Sequence, residues 1–278
     1  MGKNESIPLG VIQMNSTADV EDNLRRAENL IIDAAGKGAR IIALPENFAF
    51  MGSDEDRAKH AQDFNGTVVS FLKRSARKHS IILLGGGFLE RGPGPDRRSF
   101  NTCLLIDREG NIAGLYRKVH LFDVELPGGP SYRESEYIQP GSGITVCEVD
   151  GIIFGLTICY DVRFPELYRH LAMKGARIIF VPAAFTLFTG KDHWFPLLKA
   201  RAIENQVYIL APAQYGRHGE KLLTYGHAAI VDPWGTILAQ APDRECVVLA
   251  EYLPDYQEEV RRRIPVFSHL RKDLYPVA

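Results

Sequence analysis

GIIFGLTICYDVRFPELYR, residues 151–169, is the stretch whose reading decides the fold. Residues 152–158 form a short β-branched and aromatic run, the composition of a buried strand, and from Pro165 onward Leu167, Tyr168, Leu171 and Ala172 recur at helical spacing. Cys159 therefore falls on the turn between a strand and a helix. In an α/β sheet such a turn lies at the carboxyl edge, where ligands bind, and the first free N–H groups of the helix point toward it. Those donors would stabilise a thiolate, or a negative oxygen forming beside it. A single cysteine after an apolar run is more often a small buried hydrophobe, so the catalytic reading needs support from elsewhere in the chain.

Working outward, residues 9–14 read as a first strand, and Asp19 opens a helix whose Leu24, Ala27, Leu30, Ile31, Ala34 and Ala35 make one apolar face ended by Gly36 and Gly38. A second apolar strand, 40–44, stops at Pro45-Glu46-Asn47. Residues 37–42 read KGARII, and residues 174–179 read KGARII again, each time after an amphipathic helix and each time continuing as a buried strand. The spacing predicts one strand-helix-strand unit used twice. If the two units pack about a pseudo-twofold, Glu46 and Cys159, each at the end of a parallel strand, face one crevice.

Between the units the sequence predicts a helix over 67–78 and strands over 81–90, 99–107 and 112–116, with turns at 92–96 and 107–111. Residues 117–143 lose all periodicity, and a loop of that length inside a compact domain is more often functional than idle. It carries Lys118, His120, Asp123, Glu125, Arg133 and Glu134. Beyond the second unit, a helix is expected over about 192–205 and strands over 207–212, 226–232, 235–240 and 246–251, the Asp232-Pro233-Trp234-Gly235 turn making a hairpin. A charged helix over 254–263 precedes a tail without pattern. No linker or boundary divides residues 1–278, so the expectation is a single layered α/β sandwich domain.

Composition narrows the function classes. The 278 residues are 45% hydrophobic and 24% charged with a net charge of −1, which is ordinary for a globular protein and gives no basic footprint for nucleic acid or an anionic membrane. Apolar runs fall well short of a bilayer span and the first ten residues lack a secretory pattern, so a cytoplasmic protein is expected. The four cysteines, 103, 147, 159 and 246, form neither a CxxC nor a Cys/His cluster, so neither a disulfide framework nor a metal site is indicated.

Three polar landmarks, LPEN with Glu46, YRKVHLFD with Lys118 and ICYDVRFPE with Cys159, are similar in order and context to the nitrilase superfamily of carbon–nitrogen hydrolases. That resemblance runs along nearly the whole chain. It implies a four-layer α-β-β-α sandwich that dimerises, often through helices near the nucleophile, and a catalytic set of Glu46, Lys118 and Cys159 joined by a second glutamate that Glu134 in SYRESEYIQPG matches. Within the superfamily HLFDVELPG, AQYGRHGEK and YGHAAIVDPWG resemble the deaminated glutathione amidase branch, with the omega-amidases next and N-carbamoyl amidohydrolases as a further alternative. A silent nitrilase-fold scaffold is the rival from another class, and the intact polar set argues against it.

The resemblance also implies the chemistry, which needs neither cofactor nor metal. Cys159 attacks the amide carbonyl, Glu46, with a pKa expected to be raised by partial burial, takes the thiol proton, and Lys118 with the Tyr160 N–H holds the oxyanion. Glu134 orients Lys118 or passes a proton to the leaving amine. Arg163, just past the nucleophile, suits a substrate carboxylate, with a structural ion pair to Asp161 or Glu166 equally open. Tyr132, Arg133, Phe185 and Trp194 are candidates for the pocket wall, and His193, His218 and His227 read as packed or hydrogen-bonded.

Overall fold

The computed structural model describes residues 5–93, 98–125, 131–219 and 222–274. Two strand-helix-strand units organise it. In the first, β1 (Ile7–Met14), α1 (Val20–Gly36) and β2 (Ile41–Ala43) are followed by α2 (Asp54–His60), α3 (Thr67–His79), β3 (Ile82–Glu90), β4 (Ser99–Ile106) and β5 (Ile112–Arg117). β1, β2 and β3 run parallel, and β4 and β5 continue antiparallel. In the second unit β9 (Thr145–Val149) and β10 (Ile152–Leu156) lead through α4 (Pro165–Met173) to β11 (Ile178–Phe180), α5 (Leu187–Asn205), β12 (Tyr208–Ala211), β15 (Ala229–Val231) and β16 (Ile237–Gln240). Here β10, β11 and β12 run parallel, and β15 and β16 continue antiparallel. The two sheets thus repeat one topology, and KGARII leads into the central strand of each, β2 and β11. The likeness extends to a proline just after each strand, Pro45 and Pro182.

Side-chain alternation sets the layers. On the first sheet Leu9, Val11, Ile41, Ala43, Ile82 and Leu84 share a core with Phe154, Ile178, Phe180 and Leu210 of the second. Their neighbours Ile12, Ile42 and Leu83 face the other way, against Leu24 and Ile31 of α1 and Val69 and Leu72 of α3. On the far face of the second sheet, Gly155 lies against Leu171 of α4, and α5 packs beside β12. Helix, sheet, sheet, helix is the order of layers, as expected. Central strands buried on both faces explain the unbroken apolar runs of the sequence. The Asp19 carboxylate caps α1 by accepting from the Asp22 N–H at 3.0 Å. Truncating Ile31, which has no exposed surface, to Ala would cost about 2–5 kcal/mol.

Several expectations change. The long aperiodic stretch holds β6 (Asp123–Glu125), β7 (Ser131–Arg133), a single 3₁₀ turn over Glu134–Glu136 and β8 (Ile138–Gln139), each too short to show a period; residues 126–130 lie outside the described residues, as do 94–96 of the turn expected over 92–96. β13 (Ala213–His218) and β14 (Leu222–Tyr225) were not expected, because AQYGRHGEK is polar and glycine-rich; its residues 220–221 lie outside the described residues. β13 joins the carboxyl end of β1, while β17 (Cys246–Tyr252) pairs antiparallel along it. Helix α5 starts at Leu187 rather than 192, since Gly190 lets the helix approach Tyr225, where a Cβ would lie 2.3 Å from that residue's own. α6 (Pro254–Arg263) matches its expected span, and α7 (Val266–His269) follows it.

Candidate active site

Glu46 sits just beyond β2, where the chain leaves the carboxyl edge of the first sheet. A bulge in β3 makes room for it: Gly87, at φ +108°, accepts from the Asn47 N–H at 3.0 Å, and a Cβ on Gly86 would fall 1.8 Å from the Leu44 carbonyl. Lys118 follows β5, its N–H donating to the Asn101 carbonyl at 2.9 Å. Alternation sends its neighbour Arg117 to an ion pair with Glu90 and sends Lys118 inward, 2% exposed. Glu134 begins the 3₁₀ turn after the β6–β7 hairpin, and its carboxylate accepts from the Phe122 N–H at 2.7 Å.

Cys159 adopts a left-handed conformation, φ +49°, and its N–H donates to the Pro182 carbonyl at 2.9 Å. It opens a 3₁₀ turn over Cys159–Arg163, and the α-helix begins only at Pro165, so the cysteine lies on a tight turn rather than at an α-helix N-terminus. Asp161, fully buried, pins that turn. Its carboxylate accepts from the Ile158 N–H and the Tyr116 hydroxyl, both at 2.8 Å, from the His120 N–H at 3.3 Å, and meets His120 Nδ1 at 2.7 Å. No hydrogen bond among the described residues takes the Tyr160 N–H at this corner.

These elements bring four side chains together. The Lys118 ammonium donates to Glu46 Oε1 at 3.2 Å and to Glu134 Oε1 and Oε2 at 3.1 and 2.8 Å. Glu46 also accepts from Asn101 Nδ2 and the Ala184 N–H, both at 2.8 Å, and contacts the Cys159 thiol. Burial works to raise the Glu46 pKa, but the Lys118 charge, the thiol and the Ala184 N–H together hold it below the usual carboxylate range. That corrects the expected raised value: the fold surrounds the buried acid with donors. Burial works against the charged Lys118, yet Glu134 and Glu46 push its pKa well above that of a free lysine. Burial, then the Glu46 charge, lift the Cys159 thiol well above its usual range. These shifts favour Cys159 as a thiol, Glu46 as a carboxylate and Lys118 as an ammonium.

An open pocket with a cavity volume of about 90 Å³ reaches this cluster. Tyr132, Tyr160 and Phe185 line it as expected, and so do Arg57, Tyr137, Thr189 and Leu222, which the sequence reading missed. Arg163 does not line it. Its guanidinium lies over the rings of Phe185 and Tyr160, 5.1 and 5.8 Å from their centres, and meets His193 Nδ1 at 3.3 Å; it pairs with neither Asp161 nor Glu166. Trp194 is core, donating to the His227 carbonyl at 3.0 Å, and Arg133 pairs with Glu125. His218 is buried between the Ser16 carbonyl and the Thr224 hydroxyl, and His227 Nδ1 meets the Ala241 carbonyl. Asn101 had a visible signal, a polar residue inside the apolar run SFNTCLLI. Arg57 had none, because DEDRAKH reads as a solvated helix. Among the described residues no group of three or more His, Cys, Asp and Glu side chains is placed to hold a metal ion, and no helix is long and apolar enough to cross a membrane.

Comparison with known proteins agrees with this geometry. The carbon–nitrogen hydrolase family model matches residues 9–262. A deaminated glutathione amidase of Synechocystis is 45% identical over 260 residues, 93% of this chain and 96% of that one. The crystal structure of the Caenorhabditis elegans NitFhit protein is 40% identical with a TM-score of 0.93, covering 99% of this chain and 68% of that one. Saccharomyces cerevisiae Nit3, a member of branch 10 of the nitrilase superfamily, is 33% identical with a TM-score of 0.86 over 95% of this chain and 96% of that one. Likeness of this extent spans every element that carries Glu46, Lys118, Glu134 and Cys159, and the chain belongs to the carbon–nitrogen hydrolase family of the nitrilase superfamily, as an amidase that hydrolyses a carbon–nitrogen bond.

Proposed function

We propose that Cys159 cleaves a small carboxylate-bearing amide of the deaminated glutathione type through an acyl-cysteine thioester. The observation that carries this reading is the contact set around one ammonium: Glu46 and Glu134 both bond Lys118, and Glu46 also touches the thiol. As the sulfur attacks the carbonyl carbon, Glu46 accepts the thiol proton. Negative charge then grows on the carbonyl oxygen, where Lys118 and the Tyr160 N–H receive it; one such donor typically lowers the barrier by about 3 kcal/mol. Collapse of the tetrahedral intermediate breaks the carbon–nitrogen bond, and Glu46 returns its proton to the leaving amine. Water, deprotonated by Glu46, attacks the thioester, releasing the acid and restoring the thiol. Glu134 keeps Lys118 charged and aimed throughout.

The substrate class rests on the 45% identity with a deaminated glutathione amidase. We take residues 1–278 as one catalytic domain working as a homodimer, a reading supported by Leu187 and Phe188, which start α5 beside the pocket and are 42% and 49% exposed. The four free cysteines fit a reducing, cytosolic setting. The test is release of 2-oxoglutarate from deaminated glutathione and from 2-oxoglutaramate, side by side, with Cys159→Ala as control. Faster release from the former and a dead variant are expected. Turnover of neither, or turnover surviving in the variant, would overturn the substrate or the nucleophile respectively.

A further inference from the structure

Asn101 lies on β4, 3% exposed, and does not line the pocket, yet its side chain joins both acids of the cluster. Its Nδ2 donates to Glu46 Oε1 at 2.8 Å and to Glu134 Oε1 at 3.5 Å. Lys118 donates to the same two oxygens, at 3.2 and 3.1 Å. Two nitrogens and two carboxylate oxygens therefore alternate around a closed ring, with an ammonium on one side and an amide on the other. Two carboxylates brought to one place ordinarily share a proton, because like charges resist ionising side by side. Here the amide fills the place where that proton would sit, and an amide, unlike a histidine or a third acid, does not take up and pass on a proton at ordinary pH.

Lone pairs lead to the same result. Each carboxylate oxygen offers two. Lys118 and Asn101 occupy both on Glu46 Oε1, and the Ala184 N–H takes one on Oε2 at 2.8 Å. That leaves one place on Glu46 for a proton, on Oε2. Stability alone does not account for Asn101: its Oδ1 is buried without a hydrogen-bond partner, and turning the amide over would set that oxygen against both carboxylates. The bulge in β3 admits it through Gly87, where a Cβ would lie 2.8 Å from Asn101 Oδ1. The other charged or titratable groups set against the two acids are Lys118, just after β5, and the Cys159 thiol, at the corner after β10. Arg57, Tyr132, Tyr137 and Tyr160 complete those lining the pocket.

We propose that Asn101 is a positioning residue that keeps Glu46 and Glu134 from sharing a proton, so that the thiol proton passes to Glu46 Oε2 alone. The inference rests on the reaction proposed above and deepens it. Glu134 then serves only to hold Lys118, and the leaving amine receives its proton from Glu46.

Two variants test this against wild type: Asn101→Leu, of nearly the same shape and without a donor, and Asn101→Asp, which puts a third acid in the ring. Two readouts are followed across pH, amide kcat/KM and iodoacetamide labelling of Cys159 with Cys159→Ala subtracted. In Asn101→Leu the two acids share a proton at neutral pH. There kcat/KM falls about tenfold or more, and it recovers toward wild type as pH rises and the proton leaves. Labelling at neutral pH quickens, since the shared proton weakens the negative charge that opposes the thiolate. In Asn101→Asp the signs reverse: the added acid, once ionised, slows labelling, and kcat/KM is lost on the alkaline side at a pH where wild type is still active. Loss by one factor at every pH in both variants is what a structural role gives, and wild-type profiles in both are what an idle residue gives; either overturns the proposal. If Asn101→Leu does not fold, Asn101→Asp decides: alkaline loss with slower labelling upholds the proposal, and a pH profile of wild-type shape overturns it. Should wild type turn over none of the amides offered, the substrate reading has failed and labelling decides for Asn101. Opposite signs in the two variants uphold it, and the same sign in both, or no change in either, overturns it.

Discussion

Replacing Glu46 by Gln removes one charge and almost no volume, and the structure predicts opposite effects on two properties of the same cysteine. The Glu46 carboxylate touches the Cys159 thiol and is, after burial itself, the main reason that thiol titrates so high, while Lys118 pulls the other way. That carboxylate charge opposes the thiolate form of the neighbouring sulfur. Taking it away leaves Lys118 facing the sulfur with less competition. The thiol pKa of Glu46→Gln should therefore drop, although burial still holds it up. Amide turnover should fall by about 10²–10⁴, because the proton acceptor is gone. The assay follows thiolate absorbance and iodoacetamide labelling across pH, with Cys159→Ala subtracted to remove Cys103, Cys147 and Cys246, whose own thiols are all lifted by burial. A thiol titration that stays put or moves up in Glu46→Gln, with labelling slowed in step with turnover, would refute this reasoning.

Two further outcomes follow from buried groups near the site. Asp161→Ala strands the Ile158 N–H and the Tyr116 hydroxyl in a fully buried place, at about 1–3 kcal/mol each; thermal unfolding should move down by about 5–15 °C, and kcat should fall more than KM rises because the left-handed Cys159 loses its support, with Asp161→Asn rescuing part of both. His218 is held neutral by burial, its pKa below the ordinary 6.5, so its contribution to stability is present above pH 6.5 and is lost as pH falls through the folded value. Wild-type melting temperature should accordingly decline below pH 6.5, and His218→Asn should flatten that limb; an identical slope in both would show that other groups set it.

How far the sequence could be read follows from which forces each feature obeys. Strands and helices with unbroken apolar faces were legible, down to Asp19 as the cap of α1 and the two KGARII exits into β2 and β11, because periodicity records burial directly. Glu46 was legible as the end of a strand. Lys118 and Glu134 were legible only through resemblance, since a charged residue beside Arg117 or in a charged loop looks solvated until the fold buries it. Arg163 shows where neighbourhood in sequence misleads. On an α-helix a residue four beyond Cys159 would share its face, but residues 159–163 form a 3₁₀ turn with three residues per turn, which swings Arg163 roughly 120° away. The β13–β14 hairpin and the strands flanking Glu134 were hidden because two to six residues of mixed polarity carry no period, and Arg57 because its place on the pocket depends on where a short charged helix docks.

The duplicated topology explains why the groups of the candidate site come from such distant parts of the chain. Equivalent central strands, β2 and β11, end side by side, so the residue after one, Glu46, accepts from the backbone after the other, the Ala184 N–H, at 2.8 Å. Cys159, from the strand beside β11, is tied to the same segment through the Pro182 carbonyl. The site therefore exists only while the sheets are packed face to face, and the ion cluster it holds is costly in isolation. Burying Lys118 without Glu46 and Glu134, or either acid without Lys118, would leave an uncompensated charge at a cost of about 3–5 kcal/mol. Each of the three is thus part of the fold as well as of the proposed reaction, and a loss of activity on deleting one mixes the two effects. Isosteric changes that remove charge while keeping shape, read with thiol titration alongside turnover, separate them.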